Sequence, residues 1–207
     1  EIASCLVGSE MCIRDREDNM KILVETSARH VHLSEKDLYV LFGENYKLTS
    51  KKELSQPGQF ACTEKVTIKG PKGEIAASIL GPTRDKTQVE LSFTDARKIG
   101  LVPPVKESGD HNGTPGCTLV GPCGEVVLNE GVIIAKRHIH LNPDKASEYG
   151  LIDKQIVNVK INSDNRSVIL GDVVVRVSEN FLPAMHIDTD EANAAGINGA
   201  VEGEILK

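Results

Sequence analysis

Two short motifs carry most of the chemistry this sequence can perform: Arg29-His30-Val31-His32-Leu33 and Arg137-His138-Ile139-His140-Leu141. In an extended strand, side chains two apart share a face. A His-x-His therefore sets two imidazoles side by side while Val31 or Ile139 turns the other way, into a core. A single such pair is more often solvated or hydrogen-bonded than metal-bound. Its duplication is hard to explain by packing and points to metal ligation.

A catalytic zinc usually takes three protein ligands and keeps one position open. The third comes from a second repeat. Setting Gly100 of VELSFTDARKIGL against Gly196 of MHIDTDEANAAGI places Glu90 opposite His186. The candidate ligands are then His30, His32 and Glu90 in one half, and His138, His140 and His186 in the other, which uses five of the six histidines. Imidazole and carboxylate donors fit Zn²⁺ best, with Fe, Co or Mn as alternatives. His111 lies in a polar, Gly-rich loop without an evident partner and is left out.

Gly81-Pro82-Thr83-Arg84 ends the strand that precedes Glu90. Arg84 can turn its guanidinium fork toward the metal ligands, where it suits a tetrahedral oxyanion; the plainer reading is an exposed surface arginine. Ser108-Gly109 offers a hydroxyl and backbone N–H groups to an anion nest, a weak signal alone. Cys62, Cys117 and Cys123 read as reduced, partly buried small residues rather than as a nucleophile or ligands.

The elements that must position these residues are mostly short strands between Gly, Pro, Asn and Asp turns. They are expected at 21–27, 65–70, 74–81, 88–93, 116–121, 125–137, 156–161, 167–178 and 184–188. Four short helices punctuate them. Ser34 caps a run from Glu35 to Phe42 that stops at Gly43, and Asn142-Pro143 opens one that Gly150 closes. Thr94 opens the third before Gly100, and Thr189 the fourth before Gly196. The fold class expected is mainly β, with internal duplication.

Composition excludes several functions. Lys and Arg number 24 against 30 Asp and Glu, a net charge of −6, so no global positive field draws nucleic acid or an anionic membrane. Aromatic content of 3% without Trp leaves little for base stacking. No apolar run approaches the roughly 18 residues of a membrane-spanning helix, and no secretory signal is present. A soluble cytoplasmic protein is expected, without nucleic-acid or membrane partners. Residues 1–19 show no clear period and precede Met20, after which patterned sequence begins at once. They are read as a non-native or disordered leader, the alternative being a short targeting or docking peptide.

RHVHLS, GPTR with TQVELSFTDA, the Glu107-Ser108-Gly109 loop, TLVGP, KRHIHL and MHIDTDEAN, in this order, resemble the PduL-type phosphotransacylases, also called phosphate propanoyltransferases. The resemblance spans residues 21 to about 205. It implies two β-barrels capped by short α-helices, a central one at 29–135 and a second from 20–28 plus 136–207. It implies two Zn²⁺ per chain, one on His30, His32 and Glu90, able to meet the coenzyme A sulfur, and one on His138, His140 and His186. Arg84 would hold phosphate, joined less firmly by Ser108. The implied reaction interconverts acyl-CoA plus phosphate with acyl phosphate plus CoA. Propanoyl and acetyl donors stay open, since one methylene is worth only about 1–3 kcal/mol in a pocket. So do the residues that grip the CoA nucleotide, a homodimer, and a place inside a bacterial microcompartment. A two-zinc hydrolase of thioesters or phosphate esters, and a non-catalytic zinc-binding module, are the alternatives.

Overall fold

A computed structural model describes residues 20–206; the leader expected at 1–19 lies outside the described residues. The chain opens with β1 (Lys21–Thr26), whose alternating burial points Ile22 and Val24 into a core. The first motif follows as β2 (His30–His32), then helix α1 (Glu35–Phe42). Next come β3 (Ser50–Glu53), exposed along its length, β4 (Phe60–Gly70) and β5 (Gly73–Gly81). Gly70 and Gly73 close a tight hairpin between the last two. A side chain on Gly70 would sit 2.3 Å from the Ile99 carbonyl, so the hairpin tip packs on the end of the next helix only because it is bare.

β6 (Gln88–Leu91) leads into α2 (Phe93–Ile99), followed by β7 (Val105–Lys106) and β8 (Cys117–Val120). The run expected as one strand over 125–137 divides into β9 (Glu125–Leu128) and β10 (Val132–Ala135). Gly131, at φ 107°, turns the chain between them. The second motif forms β11 (His138–Leu141), with α3 (Pro143–Tyr149) behind it. β12 (Ile156–Ile161), β13 (Val168–Val177), β14 (Ala184–Ile187), α4 (Thr189–Ala195) and β15 (Val201–Leu206) complete the described chain.

Six strands close a barrel in the order β1-β14-β11-β13-β12-β15. The other nine form a sheet ordered β7-β10-β6-β2-β5-β4-β8-β9, with β3 on β4. The fold is mainly β with four short helices, as expected; of the two sheets, the central one curls without closing. Each has its own core. Val31, Leu33, Ile68, Ile79 and Ile99 belong to the first, Ile139, Leu141, Val159, Val175 and Met185 to the second. Each fully buried aliphatic side chain contributes about 1.5–3 kcal/mol relative to exposure.

The duplication is structural. β2 lies between antiparallel β6 and parallel β5, and β11 lies between antiparallel β14 and parallel β13. The caps repeat as well. The helices expected to open at Thr94 and Thr189 are capped earlier, by Ser92 and Asp188: Ser92 Oγ accepts from the Asp95 N–H at 3.3 Å, and Asp188 Oδ1 from the Glu191 N–H at 2.9 Å. A cap accepts from an N–H two or three residues on, and Ser92 and Asp188 are the side chains so placed. The helices stop where Gly100, Gly150 and Gly196 turn left-handed, at φ 78°, 59° and 65°.

Candidate metal centre

The two His-x-His pairs present their rings on one side as strand geometry requires. Ring centroids lie 4.9 Å apart in His30–His32 and 4.6 Å apart in His138–His140. Val31 and Ile139, fully buried, point the other way into the two cores. Register supplies the third member of each group. His30 pairs directly with Glu90 across β2 and β6, and His138 with His186 across β11 and β14.

Donor atoms of His30, His32 and Glu90 all lie within 4.8 Å of one another, close enough to converge on one ion. His30 Nε2 is 3.4 Å from Glu90 Oε2 and His32 Nε2 is 3.9 Å from Oε1. The other three rings gather at centroid separations of 4.6 to 5.3 Å. His30 Nδ1 donates to the Ala28 carbonyl and His138 Nδ1 to the Lys136 carbonyl, both at 2.8 Å. A carbonyl only accepts, so these bonds fix the proton on Nδ1 and leave the Nε2 lone pair for a ligand.

Buried nitrogens without partners test whether a metal fits. Both ring nitrogens of His140 and His186 Nε2 have none; His32 Nδ1 also has none, but it is Nε2 of that ring that faces Glu90. Each uncompensated buried polar atom costs about 1–3 kcal/mol, a cost that coordination removes from a nitrogen aimed at the ion. Protonation states agree. Burial, reinforced by neighbouring histidines, pushes His32 and His186 down to about 3 and His140 to about 2, so the imidazoles are neutral at pH 7. Burial pushes the Glu90 carboxyl up, but His30, His32, Arg84 and the Ser108 hydrogen bond outweigh it and hold it below the usual carboxylate range. Neutral imidazoles with an ionised carboxylate are the donor set a divalent cation needs.

Both groups and Arg84 line one cavity of about 880 Å³, within the size range of small-molecule sites. Arg84 reaches it because its N–H bonds the Leu33 carbonyl, tying the GPTR turn to the end of β2. Its Nη1 donates to Ser108 Oγ at 3.0 Å, and Ser108 Oγ donates to Glu90 Oε1 at 3.1 Å. The guanidinium is thus half-buried beside Glu90, a candidate metal ligand, rather than on the surface. Cys62 and Cys117 are buried, with thiols pushed up by burial to about 11 and about 12, and act as core residues.

Two expectations change. His111 has a partner: its Nε2 lies 3.2 Å from Gln88 Oε1. The Gly109 N–H, offered to an anion nest, instead donates to the same Gln88 oxygen at 2.7 Å. Gln88, 1% exposed, turns its amide nitrogen to Glu90 Oε1 at 2.6 Å and Ser108 Oγ at 2.8 Å. It joins the candidate ligand Glu90 to the loop that holds Arg84. Its place two residues before Glu90 on one strand was the available signal.

Other residues went unread. Arg29 bonds Asp95 at 3.1 Å and Arg137 bonds Glu191 at 2.7 Å, so the arginine opening each motif grips the helix after the third-ligand strand. Phe181 stacks on His140 at 4.1 Å. Arg176, the one basic residue of the valine-rich strand β13, lines the cavity.

A sequence profile described as phosphate propanoyltransferase matches residues 23–198. The chain belongs to this family. It is 56% identical over 178 residues to a phosphate propanoyltransferase of Thermotoga maritima, covering 86% of this chain and 85% of that protein. Its counterpart in Clostridioides difficile is 50% identical over 187 residues, covering 90% and 89%, and that of Enterococcus faecalis 51% over 185 residues, covering 89% and 87%. Membership makes the chain a phosphate acyltransferase, and the residues around the cavity are where its chemistry is to be sought.

Proposed function

We propose that the chain moves a short acyl group, propanoyl or acetyl, between coenzyme A and inorganic phosphate at a two-zinc site. His30, His32 and Glu90 hold one ion and His138, His140 and His186 the other. The observation that carries this reading is Arg84, an arginine fixed by Ser108 next to Glu90 in the cavity lined by both ligand groups.

In the forward direction a phosphate oxygen attacks the thioester carbonyl carbon. The C–O bond forms, the C–S bond breaks, and sulfur leaves with the electron pair and takes the proton of hydrogen phosphate. Phosphate is a weak, crowded nucleophile, so most of what a protein can contribute is position and charge. Arg84 presents a fork that matches two phosphate oxygens. Ser108, which both accepts from Arg84 and donates to Glu90, sets the fork's direction and becomes a phosphate ligand if it releases the carboxylate. Zinc, when bound, supplies Lewis-acid polarisation of the carbonyl and stabilises the departing thiolate. The buried Cys62 and Cys117 thiols are kept protonated, in keeping with direct attack without an acyl-enzyme.

We take 29–135 and 20–28 plus 136–207 as the two domains, with the site between them. Cytoplasmic residence fits CoA chemistry, and among the described residues no helix is long and apolar enough to cross a membrane.

The test is thiol release from acetyl-CoA and propanoyl-CoA, with and without phosphate, on protein of measured zinc content. Release that requires phosphate, with about two zinc per chain, supports the transferase. Release without phosphate makes the site a hydrolase, and zinc without release makes it a binding module.

A further inference from the structure

Arg176 sits in β13 as the cross-strand partner of His140 and opens onto the cavity that Arg84 lines. The duplication shows that packing does not require a charge there. In the other half His30 pairs with Ser78 and Val31 with Ile79; one residue further along that register, Leu80 falls beside His32 and lines the cavity too. Equivalent places thus hold an aliphatic chain in one half and a guanidinium in the other.

The other arginines around the site have acidic partners: Arg29 is paired with Asp95 and Arg137 with Glu191. Among the described residues no carboxylate is paired with Arg176 or Arg84, and nearby Glu107 is taken up by Lys154 at 2.5 Å. The Arg176 guanidinium instead lies 5.7 Å from the centre of the Phe181 ring, which also stacks on His140. Two half-buried, unpaired cations facing one cavity repel each other and have lost part of their hydration, an arrangement that an anion between them relieves. Burial lowers Arg84 against the pull of Glu90, and Arg176 adds a smaller lowering of its own.

We infer that Arg176 is the second arm of the anion site: Arg84 from one half and Arg176 from the other hold the same phosphate dianion between the two ligand groups. This rests on the transferase reading for the identity of the anion. Two forks carry two positive charges against the two negative charges of hydrogen phosphate, and each fork matches a pair of its oxygens. An arm on each half makes phosphate binding depend on the sheet and the barrel keeping their relative positions.

The experiment titrates inorganic phosphate calorimetrically, without acyl-CoA, into metal-loaded wild type, Arg84→Ala, Arg176→Ala, Arg176→Lys and the shape-preserving Arg176→Met. Metal content is measured for each, and steady-state constants follow. Expected is phosphate binding weakened by about tenfold to a hundredfold in Arg176→Ala and Arg176→Met, the range for a lost charged hydrogen bond. Arg176→Lys should recover part of it, with metal content and the acyl-CoA KM unchanged. Unaltered phosphate affinity in a folded, metal-loaded Arg176→Met protein overturns the proposal. So does a rise in acyl-CoA KM in place of phosphate KM, which would assign Arg176 to coenzyme A. Wild type that binds phosphate but releases thiol without needing it overturns the transferase reading alone, since the titration still reads Arg176.

Discussion

Glu90 and His186 hold the same place in the two halves, each the antiparallel partner of the first histidine of its motif and each two residues before the cap of a helix. One group of donors therefore carries a negative charge and the other none, on a shared backbone plan. Removing a ligand from one half should empty that half alone. Glu90→Ala and His140→Ala are each expected to lower the metal content from about two ions per chain to about one, as read by elemental analysis after dialysis. Loss of both ions from either variant would instead show a single shared centre.

Gln88 is a buried amide bonded directly to Glu90, and both ends of it are used. Groups that orient metal ligands typically cost about 10- to 100-fold in metal affinity or activity when removed. Gln88→Leu should show a loss of that order in competition with a chelator, and Gln88→Glu a greater one, because a second carboxylate would face Glu90. Wild-type affinity in Gln88→Leu would reduce the amide to packing.

The Arg137–Glu191 pair answers to a double-mutant cycle. Burial pushes the Glu191 carboxyl up despite an arginine at 2.7 Å, so the ion pair only partly offsets the burial. Arg137→Ala is expected to cost about 2 kcal/mol, the range for a charged hydrogen bond, and Glu191→Gln in that background should restore part of it. Urea denaturation gives the coupling. Strictly additive losses would mean that the pair contributes nothing beyond its two members.

Acid should destabilise the metal-free protein early. His32 and His186 titrate near 3 and His140 near 2 in the fold, whereas free imidazoles titrate near about 6.5. Between those values the unfolded chain binds more protons, so stability is complete above about pH 6.5 and drains away as pH falls toward 3. The lowered Glu90 acts in the same direction, its contribution present above the unfolded carboxylate value and lost below it. Denaturation midpoints of metal-free protein at stepped pH should fall steadily from pH 7 to 5, and a flat profile there would contradict neutral buried imidazoles.

Much of this was legible in the sequence because it is written locally. Alternation marks β1 and β12, Gly and Asn mark helix ends, and His-x-His needs only strand period to become a pair of donors. Matching Gly100 to Gly196 brought in Glu90 and His186 from elsewhere in the chain. What escaped depends on distant partners or on no pattern at all. β3 is SKKE, exposed on both faces, and so shows no alternation. His111 looked solitary because its acceptor is Gln88, 23 residues away. Arg176 hides in a valine-rich run, and nothing local reveals that His140 lies beside it. Closure of one sheet and not the other turns on β1 meeting β15, a pairing across almost the whole described chain.

That pairing governs the order in which the molecule can be made. Lys21 is matched with Glu204, and β1 also runs beside β14. Every strand of the central sheet lies between residues 30 and 135. During synthesis from the N-terminal end, the sheet can assemble while the barrel still lacks its last members, and β1 waits unpaired until β14 and β15 have left the ribosome. The half that carries Glu90 is then shaped first, and the three-histidine half is completed only when β1 meets β15.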